Sequence, residues 1–202
     1  RTGMRHVLML TGEAPHLTFP KEDPAATLQL EVLTAGEGEA VETGDLLVVH
    51  YAGQVWDGEV FDSSFGDTPL AFQIGAGSVI RGWDEGLVGQ KAGSRVILSI
   101  PPELGYGTEG NAAAGITGTD TLVFVVDVLG SFGATDTASG AKPTGAETVP
   151  TVTGDLDEPA AVTVPDGATA PTEPRVTVMA TGSGEPVVAG GIVVQYAVTT
   201  WD

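Results

Sequence analysis

Thr121 to Leu129 reads TLVFVVDVL, the most β-branched run of the chain. Branching at Cβ stiffens χ1 and suits a pleated strand better than a helix. Four other stretches carry the same signal. LQLEVLT (28–34) alternates apolar and polar with period two, and DLLVVHYAGQVW (45–56) is a long strand whose start is apolar on both faces. PLAFQIG (69–75) and SRVILSI (94–100) follow, the second ended by Pro101-Pro102. WDGEVF sets Asp57-Gly58 between strand-like residues, the signal for a type I′ hairpin turn with positive φ at both central positions. The 29 glycines and 13 prolines that separate these runs leave room for many turns and few long helices.

One helical period survives, in GSVIRGWDEGLVG (77–89). Ile80, Trp83 and Leu87 fall on one side, and Arg81, Asp84 and Glu85 on the other. Each glycine inside a helix costs about 1 kcal/mol relative to Ala, so this helix is short. A tryptophan on one or two turns is poorly placed to fill a deep core and well placed to floor a shallow pocket. Five or so strands and one helix predict an α+β domain, a single antiparallel sheet wrapped around the helix that carries Trp83. GTEGNAAAGITGTD (107–120) has no period. Its length suits a functional lid, and Ile116, alone and apolar near its end, favours that reading.

Charge and composition exclude several functions. The chain has 27 acidic and 8 basic residues, a net charge of −19, and only three Lys or Arg between Asp45 and Gly130. Nucleic-acid binding needs clustered basic residues, and anionic membranes disfavour such a surface. No apolar run approaches the 18 or so residues that span a bilayer. With no cysteine, disulfides, thiolate metal sites and cysteine nucleophiles drop out. Residue 1 is Arg, and HVLML (6–10) is shorter than a signal-peptide core. The chain therefore reads as a processed or cut piece with any targeting segment missing.

Four segments emerge along the chain: an extension (1–27), the α+β domain (28–130), a linker (131–155) and a partial repeat (156–202). The linker is rich in Gly, Ala, Thr, Pro and acid. The repeat is visible by eye. LTFP (17–20) returns as VTVP (162–165), EVLTAGEGEAVETGDLLVVHY (31–51) returns as TVMATGSGEPVVAGGIVVQY (177–196), and VWD (55–57) returns as TWD (200–202). Everything corresponding to VFDSS, VIRGWDEG, GYG and TLVF is missing from this second copy, so it holds no second active site. Its strands near 175–179 and 192–198 lack partners.

Conventional catalytic patterns are weak. His6, His16 and His50 have no metal-ligand spacing, and His50, in an apolar strand, suits a hydrogen-bonded structural role. GAGSVIRG lacks the full dinucleotide-loop pattern. Ser63 and Ser64 have no base nearby. GDLDEP (154–159) fits no calcium loop and reads as solvated charge. No metal and no organic cofactor is expected. What remains is an aromatic and aliphatic set with one carboxylate: Tyr51, Phe61, Asp62, Val79, Ile80, Trp83, Tyr106 and Phe124. Phe72 is read as core packing.

VVHYAG, DGEVFDSS, VIRGWDEGL, GSR, IPPELGYG and TLVFVVDVL stand in an order and spacing that resemble the FKBP-type peptidyl-prolyl cis–trans isomerases over residues 28–130. Specifically, the chain resembles a bacterial tandem-domain type with its second domain truncated. The resemblance implies a curved antiparallel sheet of five or six strands around one short helix, with the pocket between them. It makes Trp83 the floor, Tyr51, Phe61 and Phe124 the aromatic walls, and Val79 and Ile80 the rim. The Ile80 N–H would take a substrate carbonyl, Tyr106 would donate from the facing loop, and Asp62 would be the pocket-edge carboxylate. Leu70, where many members carry an aromatic, would line a thinner wall, and Ile116 would contact substrate from the lid. The loop before Leu70 is one residue shorter than usual, Asn111 replaces a common histidine, and GITGTD lacks the usual prolines. These departures bear on peptide preference and macrolide affinity.

The implied activity is rotation of Xaa-Pro bonds in a dry aromatic pocket, assisting protein folding, without nucleophile or proton transfer. Implied partners are proline-containing polypeptides, with macrolide inhibitors of the rapamycin type as further ligands. The alternatives are a non-catalytic FKBP-like binding or chaperone module, which the complete aromatic pocket disfavours, and a purely structural β-domain, which would make the pocket residues coincidental. The acidic, tandem-domain, cysteine-free character favours a bacterial envelope or secreted setting over the cytoplasm.

Overall fold

The computed structural model describes residues 7–8, 15–136, 150–153, 160–174, 176–178, 180–184, 186–187, 192–194 and 196–201. His6, residues 137–149 of the linker and the acidic run at 154–159 lie outside the described residues. The chain divides into two units, Arg1–Ala134 and Thr135–Asp202.

In the first unit β1 (Val7–Leu8) and β2 (His16–Leu17) form a small antiparallel pair. Then come β3 (Gln29–Thr34), β4 (Leu46–Val55), β5 (Val60–Ser63) and β6 (Leu70–Gln73). Helix α1 (Arg81–Gly86) precedes β7 (Arg95–Ile100) and β8 (Leu122–Phe132). The last six strands make one antiparallel sheet in the order β3-β7-β8-β4-β5, with β6 also paired to β4. This is the antiparallel sheet with one short helix that the sequence leads one to expect, with six strands where five or six were expected.

Strand β8 lies between β7 and β4 and is buried on both faces, which is why its sequence is almost unbroken apolar. Leu122, Phe124, Val126 and Val128 join the main core with Trp83, Leu87 and alternate residues of β4 and β7. Val123 and Val125 face the other way with Ile97, and there Leu17, Phe19, Leu33 and Trp56 cover them. The N-terminal segment thus packs on the back of the sheet. Each such valine or leucine stabilises the fold by about 1.5–3 kcal/mol on full burial.

The two glycines of α1 explain how so weak a helix persists. A Cβ on Gly82 would lie 2.5 Å from Ile100 Cγ2, and one on Gly86 2.4 Å from Leu98 Cδ2. The helix backbone therefore rests directly on β7, and tertiary contact supplies what propensity lacks. Its exposed side carries an Arg81–Glu85 ion pair at 2.9 Å, worth a few tenths of a kcal/mol at most.

Three local expectations change. The Asp57-Gly58 turn is not type I′, because only Asp57 of the pair has positive φ, at 55°. The turn sits one residue earlier, closed from the Gly58 N–H to the Val55 carbonyl at 2.9 Å. Trp56 sets this position, since its N–H donates to Thr121 O and its ring packs on Phe19 at 5.2 Å. Strand β8 runs on to Phe132, pairing with Leu46, past its expected end at Leu129. The aperiodic stretch 107–120 is built from one-turn helices at Gly107–Glu109 and Ala112–Ala114. Asn111 and Ile116 bond each other's backbone, and the Asp120 carboxylate accepts from the Thr117 N–H at 2.7 Å.

In the second unit β9 (Thr151–Thr153) pairs with β10 (Ala161–Thr163), and the Trp201 indole N–H donates to Ala168 O at 3.1 Å. The described residues near 176–178 and 192–198 form no strand, and Val176, Ile192, Val194 and Tyr196 are exposed. Leu47 and Val49, the counterparts of Ile192 and Val194 in the first copy, are fully buried. Among the described residues no helix is long and apolar enough to cross a membrane.

Candidate active site

The floor of the site is Trp83, only 3% exposed although its helix has six residues. Three rings hold it. Tyr51 and Phe124 meet it edge-on at 5.2 Å, with interplanar angles of 80° and 84°, and Phe72 lies beneath at 5.5 Å. Edge-to-face contact suits the ring quadrupoles. The indole N–H is buried without an acceptor among the described residues, so packing alone orients the ring. Phe72 is a core residue that buttresses the floor.

Strands β4, β5 and β8 build the walls. Phe61 meets Phe124 edge-on at 5.6 Å across the pleat of Gly53, where a Cβ would lie 2.6 Å from Phe124 Cε1 and 2.8 Å from Phe61 Cζ. Gly53 is therefore required for the two rings to meet. Tyr51 sits where β4 has left β6 and not yet met β5. Ser64 satisfies its backbone there: the Tyr51 N–H donates to Ser64 Oγ at 2.9 Å, and the Ser64 N–H to Tyr51 O at 2.9 Å. His50 Nδ1 shares that hydroxyl at 3.1 Å, and its ring stacks on Phe65 at 5.5 Å. Ser64 and His50 thus position Tyr51 from behind. The motif DGEVFDSS ends on Ser64, but nothing in the sequence shows that its hydroxyl serves the Tyr51 backbone.

The Tyr51 hydroxyl donates to the Asp62 carboxylate at 2.5 Å. Burial, followed by this hydrogen bond and the nearby charge, pushes the Tyr51 phenol well above its ordinary range. Tyr51 is thus a fixed donor and Asp62 its oriented acceptor. Nothing here resembles an acid–base pair.

A cavity of about 550 Å³ opens above these residues. It gathers nine of the ten residues expected from sequence: Tyr51, Phe61, Asp62, Leu70, Val79, Ile80, Trp83, Tyr106 and Phe124. Tyr106, 37% exposed, overhangs from the loop after β7, and Leu70 sits at the rim at 36% exposure. Ile116 is the exception. It does not line the cavity but is 4% exposed within the main core. An isolated apolar residue in a polar loop reads as a lid contact. The structure spends it as the anchor that ties the loop to the core. Gly77, Ser78, Arg81 and Gly105, which no sequence expectation names as site residues, complete the lining. The Ile80 N–H has no acceptor among the described residues and stands at the start of α1 beside the cavity. No group of three or more His, Asp or Glu fit to hold a metal occurs among the described residues.

Residues 37–129 match the family model described as "FKBP-type peptidyl-prolyl cis-trans isomerase". An "FK506-binding protein" of Streptomyces anulatus is 42% identical over 119 residues, 58% of this chain and 96% of the relative. "FK506-binding protein 2" of Dictyostelium discoideum is 43% identical over 110 residues, covering 53% of this chain and 82% of the relative. "Peptidyl-prolyl cis-trans isomerase FKBP2" of Mus musculus is 49% identical over 87 residues, covering 43% and 61% respectively.

Proposed function

The chain belongs to the family of FKBP-type peptidyl-prolyl cis–trans isomerases, and from that premise we propose that the cavity over Trp83 is where it turns Xaa-Pro bonds. The observation that carries this is the convergence of Tyr51, Phe61, Trp83 and Phe124, from three strands and a helix, on one open cavity.

Rotation about an amide C–N bond costs about 18–20 kcal/mol because twisting destroys resonance. Uncatalysed Xaa-Pro isomerisation takes on the order of tens to hundreds of seconds. Water stabilises the planar, polarised amide more than the twisted one. A pocket that replaces water with aromatic faces removes that preference, so it binds the twisted bond better than the planar one. The proline ring sits on Trp83 between Phe61, Tyr51 and Phe124. The Ile80 N–H takes a substrate carbonyl, the Tyr106 hydroxyl donates from the opposite side, and Asp62, held by Tyr51, sets the field at the edge. Leu70, Val79 and Ile80 contact the residues flanking proline. No proton moves and no metal or organic cofactor takes part.

The substrates are proline-containing polypeptides, and the same pocket takes macrolides of the FK506 and rapamycin type. The isomerase domain is residues 28–130, joined by the linker 131–155 to a second copy that begins near 156. That copy carries Val198 where the first has Gly53, and a valine there would fill the space in which two aromatic walls meet. The copy therefore supplies no isomerase site of this design. A protease-coupled assay on Xaa-Pro tetrapeptides tests the proposal. Turnover that falls with Trp83→Leu supports it, and a folded chain that binds proline peptides without turnover would make it a binding module instead.

A further inference from the structure

Asp84 follows the floor residue on α1, yet its side chain does not point along the helix to solvent. Its Oδ1 accepts the Gly75 N–H at 2.8 Å and its Oδ2 the Gly77 N–H at 3.0 Å. Both glycines have left-handed backbone, with φ of 75° and 70°. That alternation turns two N–H groups toward one carboxylate, as in an anion-binding nest. Residues 75–78 are exposed, and their backbone N–H groups make no other hydrogen bond among the described residues. Upstream the chain is pinned at Ile74, which is fully buried and bonded to Gly44 and Asp45. Downstream it enters α1 at Ile80, whose carbonyl accepts the Asp84 N–H at 3.3 Å. The Asp84 side chain thus holds the segment at Gly75 and Gly77 while the first helical turn holds it at Ile80, and Gly77, Ser78 and Val79 form the cavity rim with Ile80.

We propose that Asp84 is a positioning residue for the isomerase reaction, holding the 75–79 loop against α1 so that the rim formed by Val79 and the Ile80 N–H stands at a set height above Trp83. The inference rests on the reading of this cavity as the isomerase site. Charge-assisted hydrogen bonds are the strong ones, and two on one short side chain fix both distance and direction. Without them the loop's N–H groups turn to water and the rim loosens, while the core under Trp83 is untouched. Misplacing a binding group by about 1 Å can cost on the order of a hundredfold in rate. Because the rim holds the substrate carbonyl before rotation as well as during it, the loss falls mainly on KM.

The test compares wild type, Asp84→Ala, Asp84→Glu and Glu85→Ala in the full chain. Glu85 lies one position on, and among the described residues its carboxylate bonds only Arg81. In Asp84→Ala we expect kcat/KM to fall about tenfold or more, carried by KM. Amide exchange at Gly75 and Gly77 should speed up, with the denaturant midpoint close to wild type. Asp84→Glu restores most of the activity, and Glu85→Ala stays within about twofold of wild type. Unchanged kcat/KM in Asp84→Ala despite faster exchange would overturn the proposal. So would a loss in kcat that merely tracks a lower unfolding midpoint. If wild type itself shows no turnover, the isomerase reading fails first, and that outcome is separate from either.

Discussion

Tyr51 and Asp62 lie on neighbouring strands and share a hydrogen bond of 2.5 Å, the Tyr51 hydroxyl donating. Burial and the carboxylate together push the Tyr51 phenol above its ordinary value near 10. A group whose pKa is higher in the fold than in the unfolded chain adds stability that is complete below its unfolded pKa. That stability is lost as pH rises through the folded value. Isomerase activity should therefore show no alkaline limb from Tyr51 below about pH 10. The unfolding midpoint should begin to fall above that pH, and in Tyr51→Phe this fall should flatten. Denaturant titrations of both proteins at stepped pH provide the check, and identical alkaline behaviour would contradict the assignment.

Asp62→Val removes the acceptor without touching the core. We expect the domain to stay folded and kcat/KM to fall roughly ten- to a hundredfold, the equivalent of about 1.5–3 kcal/mol for a hydrogen bond to a charged group. Tyr106→Phe should cost less, about 0.5–1.5 kcal/mol, and appear chiefly in KM. Steady-state kinetics on one Xaa-Pro peptide separates the two.

Gly53→Val places the second copy's residue into the first. The added Cβ would meet Phe61 and Phe124 within 3 Å, so one ring must move. Overpacking of this kind costs about 1–3 kcal/mol. Urea unfolding should show that loss, and turnover should drop further than the stability change explains because a wall is displaced.

Leu17→Ala uncovers part of the back face over Ile97, Val123 and Val125. A stability loss of about 2 kcal/mol or more is expected, with activity at low temperature unchanged because the cavity lies on the other face. Equal stability in urea would mean that the N-terminal segment is not part of the fold.

A chain ending at Ala134, the boundary of the first unit, should retain kcat/KM within about twofold, since every residue that lines the cavity precedes it. Loss of turnover in a folded protein of that length would give the second copy a substrate-binding role.

Local pattern was enough for the strands of the main sheet and for the place of α1, and the motifs that carry the family resemblance supplied most of the site. Period-two runs announce strands from neighbours in sequence, and the spacing of Ile80, Trp83 and Leu87 announces the helix. The motif set singled out nine of the residues that the cavity gathers. Contacts between distant residues decided the rest. Ile116 reads the same whether it touches substrate or core, and only packing against β8 and its neighbours sends it inward. The turn at Asp57 shifted because Trp56 is held by Phe19 and Thr121, residues 37 positions before it and 65 after it. Ser64 and Asp84 stand within the family motifs, but nothing in the sequence says what they bond. They acquire roles because a gap between strands leaves the Tyr51 N–H unpaired and a loop turns two glycine N–H groups toward α1. Periodicity records which face of an element is apolar. It holds no record of which backbone group, dozens of residues away, will need a partner, and that need arises only once the sheet has closed around the helix.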